Sequence, residues 1–201
     1  DNLPGEPNLF STRNTDSSPM MLGFECRNIL LENKGKYDYY CYMEDDIILT
    51  DPFFFSKLAW FNSITDNSKL LQPNRFELSL NKLIHKLYID GEVYIMPEHL
   101  FYKLDGDDIF SNFFGQQMQF SQPLNAHAGC YFLNSEQFDL WSSQPHYNDG
   151  DISLVGPLES AATLGLMKTF SIYKPAPCNA NFLELEHFGD TYLNIVSGWV
   201  Q

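Results

Sequence analysis

Along this chain the hydrophobic positions switch between a helical period and a strand period, and the switches mark its elements. Residues 1–19, rich in Pro, Asn, Ser and Thr, read as an irregular opening segment. Met20, Met21, Leu22, Phe24, Cys26, Ile29, Leu30 and Leu31 then predict a helix over 20–33, closed by Lys34-Gly35. The aromatic run 37–43 predicts a buried strand. Asp51-Pro52 suits the N-cap and first position of a helix to Ile64, whose Phe54, Leu58 and Phe61 fall on one core-facing side. Leu70 to Glu77 reads as one strand with an edge proline at Pro73. Leu87 to Ile95, with Asp90-Gly91 between alternating apolar residues, predicts a β-hairpin. Residues 104–125 read as a long loop with one helical turn. Small residues from Asn125 to Gly129 lead into a strand, and Ser135 caps a helix through Trp141. A polar loop over 142–157, a helix from Leu158 to Lys168, a strand over 170–173 and a Pro-rich exit follow. No internal repeat or low-complexity segment interrupts this order.

With 44% hydrophobic residues among 201, the chain can bury a full domain core. Its 12 basic and 26 acidic residues give a formal net charge of −14, which disfavours nucleic acid and anionic lipid as partners. A phosphate-bearing ligand would therefore need metal ions to mediate the contact. No stretch reaches the length of a transmembrane segment and no signal peptide opens the chain. The first residue is not Met, so the expectation is that this is not the natural start. Cys26, Cys41, Cys130 and Cys178 show no C-x-x-C spacing, which argues against zinc ligation and thioredoxin-like chemistry. Cys41 and Cys130 fall in expected strands as small buried hydrophobes. A reduced, cytoplasmic setting is expected, or a peripheral one at a membrane through parts outside this chain; the even count leaves a disulfide open.

The most informative segment is Glu44-Asp45-Asp46, placed where the aromatic strand should leave the core. Three like charges repel one another, and a hard divalent cation held by one or two carboxylates and a substrate phosphate relieves that repulsion. Strand carboxyl ends are also where open α/β sheets bind ligands. Read alone, the triplet is also compatible with a solvated turn. Its position between two apolar runs argues for a site, whereas Asp51 has a structural role at a helix start. Asp105 to Asp108 does not fit a calcium loop, because its Gly stands at the wrong offset and no glutamate closes it.

The order of these elements resembles the metal-dependent GT-A glycosyltransferases: a strand ending in Glu-Asp-Asp, a strand with a small-residue approach, a helix opened by an acidic residue, then a further strand. The resemblance spans about 20–190. It implies an α/β fold with a mixed central sheet flanked by helices and an inserted β-hairpin. In that fold 37–43, 128–133 and 170–173 would share one sheet. Residues 20–201 would form the domain, with 37–49 as the metal and donor strand and 70–201 as the acceptor side. The implied activity is hexosyl transfer from a nucleotide-sugar donor to a carbohydrate or glycoconjugate hydroxyl, with Mn²⁺ or Mg²⁺ as cofactor. Asp46 would ligate the metal directly, with Asp45 and His187 in the metal set. Glu44 and Asp45 would contact ribose or metal-bound water. Asn125, His127 and Gly129 would approach donor and acceptor, and Glu159 would be the base of an inverting displacement, with Asp151 and Asp149 in reserve. On the residues alone, Glu159 is equally a first-turn acid favoured by the helix dipole. His187 alone is equally a surface or packing residue. Only one helix precedes the acidic strand, so the N-terminal nucleotide-binding half of such a fold is short or missing here, and a longer parent protein is expected. Two other classes stay open: a non-catalytic carbohydrate- or cation-binding module on the same fold, and a hydrolase with paired carboxylates. Oligomeric state is not legible.

Overall fold

The structure, a computed structural model, describes residues 11–90 and 106–197. Helix α1 (Leu22–Glu32) leads to strand β1 (Tyr39–Met43), the turn carrying Glu44, Asp45 and Asp46, strand β2 (Ile47–Ile48) and helix α2 (Phe54–Ile64). Strands β3 (Lys69–Leu71), β4 (Asn74–Leu78) and β5 (Lys86–Tyr88) follow. After them come β6 (Ile109–Phe113), β7 (Gln116–Ser121), β8 (Cys130–Asn134) and helix α3 (Ser135–Ser142). Helix α4 runs over 157–167 and is α-helical at Pro157–Glu159 and Gly165–Met167, with a π-helical turn at Ser160–Leu164. Strand β9 (Ser171–Pro175), a 3-10 segment (Pro177–Phe182), strand β10 (Glu184–His187) and helix α5 (Thr191–Ser197) complete a mixed α/β chain. Among the described residues no helix is long and apolar enough to cross a membrane.

The strands form three hydrogen-bonded groups: β1-β8, β2-β10-β4-β5 and β3-β9-β7-β6. This corrects the expectation of one sheet. β1 and β8 do pair, with Tyr39 opposite Asn134 and Met43 opposite Cys130, but β9 lies parallel to β3 in another group. Side-chain amides bridge the gap. Gln72 Nε2 donates to Cys130 O at 3.1 Å, and Gln137 Nε2 donates to Lys69 O at 2.9 Å. The strands still share two faces, because side chains alternate along each of them. On one face Cys130, Phe132, Leu71 and Tyr173 pack with Phe54, Leu58 and Phe61 of α2, the expected core side of that helix. On the other, Tyr131, Leu133, Leu70 and Ile172 pack with Phe138, Trp141 and Leu166 of α3 and α4. Helices therefore cover both sides of the strands that carry the acidic turn.

Several local expectations are corrected. Leu70 to Glu77 is two strands, because Pro73 lacks the N–H a ladder needs and the chain changes group there. Residues 109–121 form a hairpin rather than a loop. Its two turn residues, Phe114 and Gly115, both have positive φ (+48° and +85°), which matches the twist of paired strands. Asn134, not Ser135, caps α3: its side chain accepts from Gln137 N while Gln137 Oε1 accepts from Asn134 N. Helix α2 starts at Phe54, and Asp51 shapes the preceding turn by accepting from Phe53 N and pairing with Lys57. The expected hairpin over 87–95 is described only to Asp90; its turn and return strand lie outside the described residues. All four cysteines are free, with Cys41 and Cys130 in strands as expected.

Candidate functional site

The acidic turn meets the approach to β8 backbone to backbone, since Glu44 N donates to Gly129 O at 2.9 Å. Gly129 has a φ of +60°, and a Cβ there would lie 2.6 Å from Glu44 Oε2 and 3.1 Å from Arg75 Nη1. The left-handed backbone favours glycine here, and an added Cβ would press on the ends of the Glu44 and Arg75 side chains. Burial drives the Glu44 carboxyl up to about 7; Arg75 opposes that rise, while Asp46, Glu159 and Asp45 add to it. Glu44 Oε1 and Asp46 Oδ1 are both buried without a hydrogen-bond partner. Asp45 is exposed.

Behind Gly129 stands a buried charge cluster. Asp90 accepts from Arg75 N, Nε and Nη2 at 2.9–3.0 Å and pairs with Lys174 at 3.0 Å. Burial alone would raise the Asp90 carboxyl, but Lys174 and Arg75 hold it down at about 2. Lys174 also donates to His127 O at 2.9 Å, which ties the cluster to the 125–129 approach. His127 N donates to Asn125 Oδ1, and His127 Nδ1 lies 2.9 Å from Thr163 Oγ1 in the π-turn of α4. Burial, with the Arg75 and Lys174 cations close by, pushes the His127 imidazole down to about 3.

Glu159 ends the first turn of α4, and its side chain makes no hydrogen bond or ion pair among the described residues. It lines a small cavity of about 80 Å³ with Arg75, Asn125, His127, Val155 and Tyr192. Val155 holds a φ of +58°, a strained value for a β-branched residue. Just past Glu159 the π-turn begins, and the buried Arg27 guanidinium donates to its Ser160 and Ala161 carbonyls at 3.3 and 3.0 Å. π-turns of this kind recur at functional sites. Asp151 and Asp149 are placed elsewhere: both pair with Lys168, at 2.8 and 2.7 Å, and neither lines the cavity. Bonds from Lys168 and Ser153 hold the Asp151 carboxyl down at about 2.

His187 sits at the end of β10, opposite Ile47, with its Nε2 3.3 Å from Asp46 Oδ2. Its Nδ1 lies 3.2 Å from Oε1 of the fully buried Glu77. Phe188 N donates to Asp46 O at 2.7 Å and anchors the turn to β10. Among the described residues no group of three or more His, Cys, Asp or Glu surrounds a single point. The donors do fit an ion held by one or two protein carboxylates and completed by substrate phosphates, since Glu44 and Asp46 each keep one unpaired oxygen there.

The chain thus brings Glu44, Asp46, His127, Gly129, Glu159 and His187 to neighbouring positions. Sequence reading missed Arg75, Glu77, Asp90 and Lys174. The available signal was a charged residue inside an apolar run, as at Arg75-Phe76 and Tyr173-Lys174, because such residues are buried only when paired. No protein-family model, curated protein or solved structure matches this chain.

Proposed function

We propose that this chain is a GT-A-type glycosyltransferase that moves a sugar from a nucleotide-diphosphate donor to an acceptor hydroxyl with Mn²⁺ or Mg²⁺. One observation carries the reading. Two neighbouring carboxylates, Glu44 and Asp46, each keep a buried oxygen without a partner, and Glu44 lies against Gly129 within the electrostatic reach of Glu159 from a distant part of the chain. Asp46, with His187 next to it, and Glu44 would hold the ion. When bound, the ion neutralises the diphosphate and stabilises the leaving nucleoside diphosphate. Asn125 and His127 line the cavity and offer hydrogen bonds to sugar hydroxyls. Glu159 takes the acceptor proton at a carboxylate oxygen, as a base within reach of the cavity. The four free thiols support a cytoplasmic setting for this activity.

The test is release of nucleoside diphosphate from a panel of nucleotide sugars. Release should require Mn²⁺ or Mg²⁺, stop on chelation, and be lost in Asp46→Asn with the thermal unfolding curve preserved. Nucleotide-sugar binding without any release would replace this reading by a non-catalytic binding module. Absence of both binding and release would overturn it outright.

A further inference from the structure

Glu77 is a carboxylate with no exposed surface, placed next to the last residue of β4. A buried carboxylate is costly unless its oxygens find donors. Tyr192 N donates to Oε1 at 3.2 Å and Leu193 N donates to Oε2 at 2.8 Å, which docks the first turn of α5 onto β4. Oε1 also faces His187 Nδ1 at 3.2 Å. A carboxylate oxygen can only accept, so the His187 Nδ1 that faces it carries the hydrogen.

That assignment has a consequence at the other ring nitrogen. In the neutral imidazole Nε2 then carries the lone pair, and it lies 3.3 Å from Asp46 Oδ2 without the alignment of a hydrogen bond. Two acceptors lie close together, and Asp46 Oδ1 has no donor either. A cation shared by His187 Nε2 and Asp46 would satisfy that pair. The strand order explains why the parts meet. β10 is flanked by β2, whose Ile47 adjoins the acidic turn, and by β4, which carries Glu77. His187 therefore bridges from a buried carboxylate on one side to the acidic turn on the other.

We infer that Glu77 is a positioning residue, fixing the His187 tautomer so that Nε2 is presented to a divalent cation shared with Asp46; this rests on the metal-dependent reading above. Partners that orient a ligating imidazole in this way typically alter metal affinity about 10–100-fold when removed.

The first arm of the test needs neither variant nor metal. Nitrogen-15 correlation spectra of the histidine rings, at a pH where they are neutral, should show His187 protonated at Nδ1. Protonation at Nε2 would overturn the inference. In the second arm, Mn²⁺ affinity is measured by electron paramagnetic resonance. Glu77→Gln should weaken it about 10–100-fold, and Glu77→Gln combined with His187→Gln should be no weaker than His187→Gln alone. A purely structural role for Glu77 would make the two losses add instead, and that would count against positioning. Wild-type protein that binds no Mn²⁺ would remove the metal-dependent reading and this inference together. Unchanged Mn²⁺ affinity in Glu77→Gln, beside tight wild-type binding, would remove this inference alone.

Discussion

Glu159 and Asp151 carry the same functional group on one stretch of chain, yet their surroundings assign them different work. Asp151 is held by Lys168 at 2.8 Å and by Ser153 N at 2.9 Å, and it does not line the cavity. Glu159 lines the cavity with no partner to give up. A base must reach the acceptor hydroxyl and be free to take its proton. Glu159→Gln should therefore lower kcat by about 10²–10⁴-fold with donor affinity nearly unchanged. Asp151→Asn should leave kcat within a fewfold, because an exposed ion pair contributes little. Steady-state kinetics of both variants on one donor decide the matter, and the opposite ranking would move the role to Asp151. Sequence reading put Glu159 first with Asp151 in reserve, on the strength of a resemblance rather than of any contact. The residue types were legible, whereas the partner that occupies one and leaves the other free comes from a lysine seventeen positions beyond Asp151.

At the scale of elements, what could be read depended on whether a periodic pattern had a conventional turn beside it. Phe54, Leu58 and Phe61 recur at helical spacing, and α2 buries them as that spacing requires. The helix after residue 157 was equally legible, but its π-turn was not, since the carbonyls it releases are satisfied by the remote Arg27. The β6–β7 hairpin escaped notice because Phe-Gly replaces the usual Asn-Gly or Asp-Gly turn and Phe110 and Phe114 point outward. The division of the strands into three groups was also illegible, because no periodicity announces a bridge made by the Gln72 and Gln137 amides. Two of the left-handed glycines, Gly115 and Gly129, separate conformation from contact. At Gly115, with φ at +85°, an added Cβ would meet nothing within 4 Å, so Gly115→Ala should cost about 1 kcal/mol from backbone strain alone. Gly129→Ala adds collisions with Glu44 and Arg75 to the same strain and should cost more. Urea denaturation of both variants tests the order, and equal losses would mean that the Gly129 surroundings yield freely.

For the whole molecule, folding places two titrating groups of opposite habit near one glycine. The unfolded His127 imidazole titrates near 6.5, and the folded one is pushed down to about 3 by burial and by Arg75 and Lys174. Between those values the unfolded chain binds a proton that the native chain refuses. The stability linked to His127 is therefore present above pH 6.5 and is lost as pH falls toward 3, at up to about 1.4 kcal/mol per pH unit. Glu44 works the other way. Its folded carboxyl is raised from 4.5 to about 7, so its contribution is full below pH 4.5 and is lost as pH rises through 7. Asp90, lowered from 3.8 to about 2, enters only below pH 4 and again favours the native state on its alkaline side. Between pH 4.5 and 6.5 the His127 and Glu44 slopes oppose each other, so a flat wild-type profile there would conceal both. A difference measurement separates them. With chelator present, urea stability of wild type minus that of His127→Gln should rise with pH from about 4 to 6.5 by close to one proton's slope, then level off. Arg75, Asp90, Lys174 and Thr163, the groups that face His127, are unchanged in that pair, so the difference isolates the imidazole. A difference that stays flat across this window would mean that the ring takes up its proton inside the folded protein, and the enclosed 125–129 approach would have to be open to water.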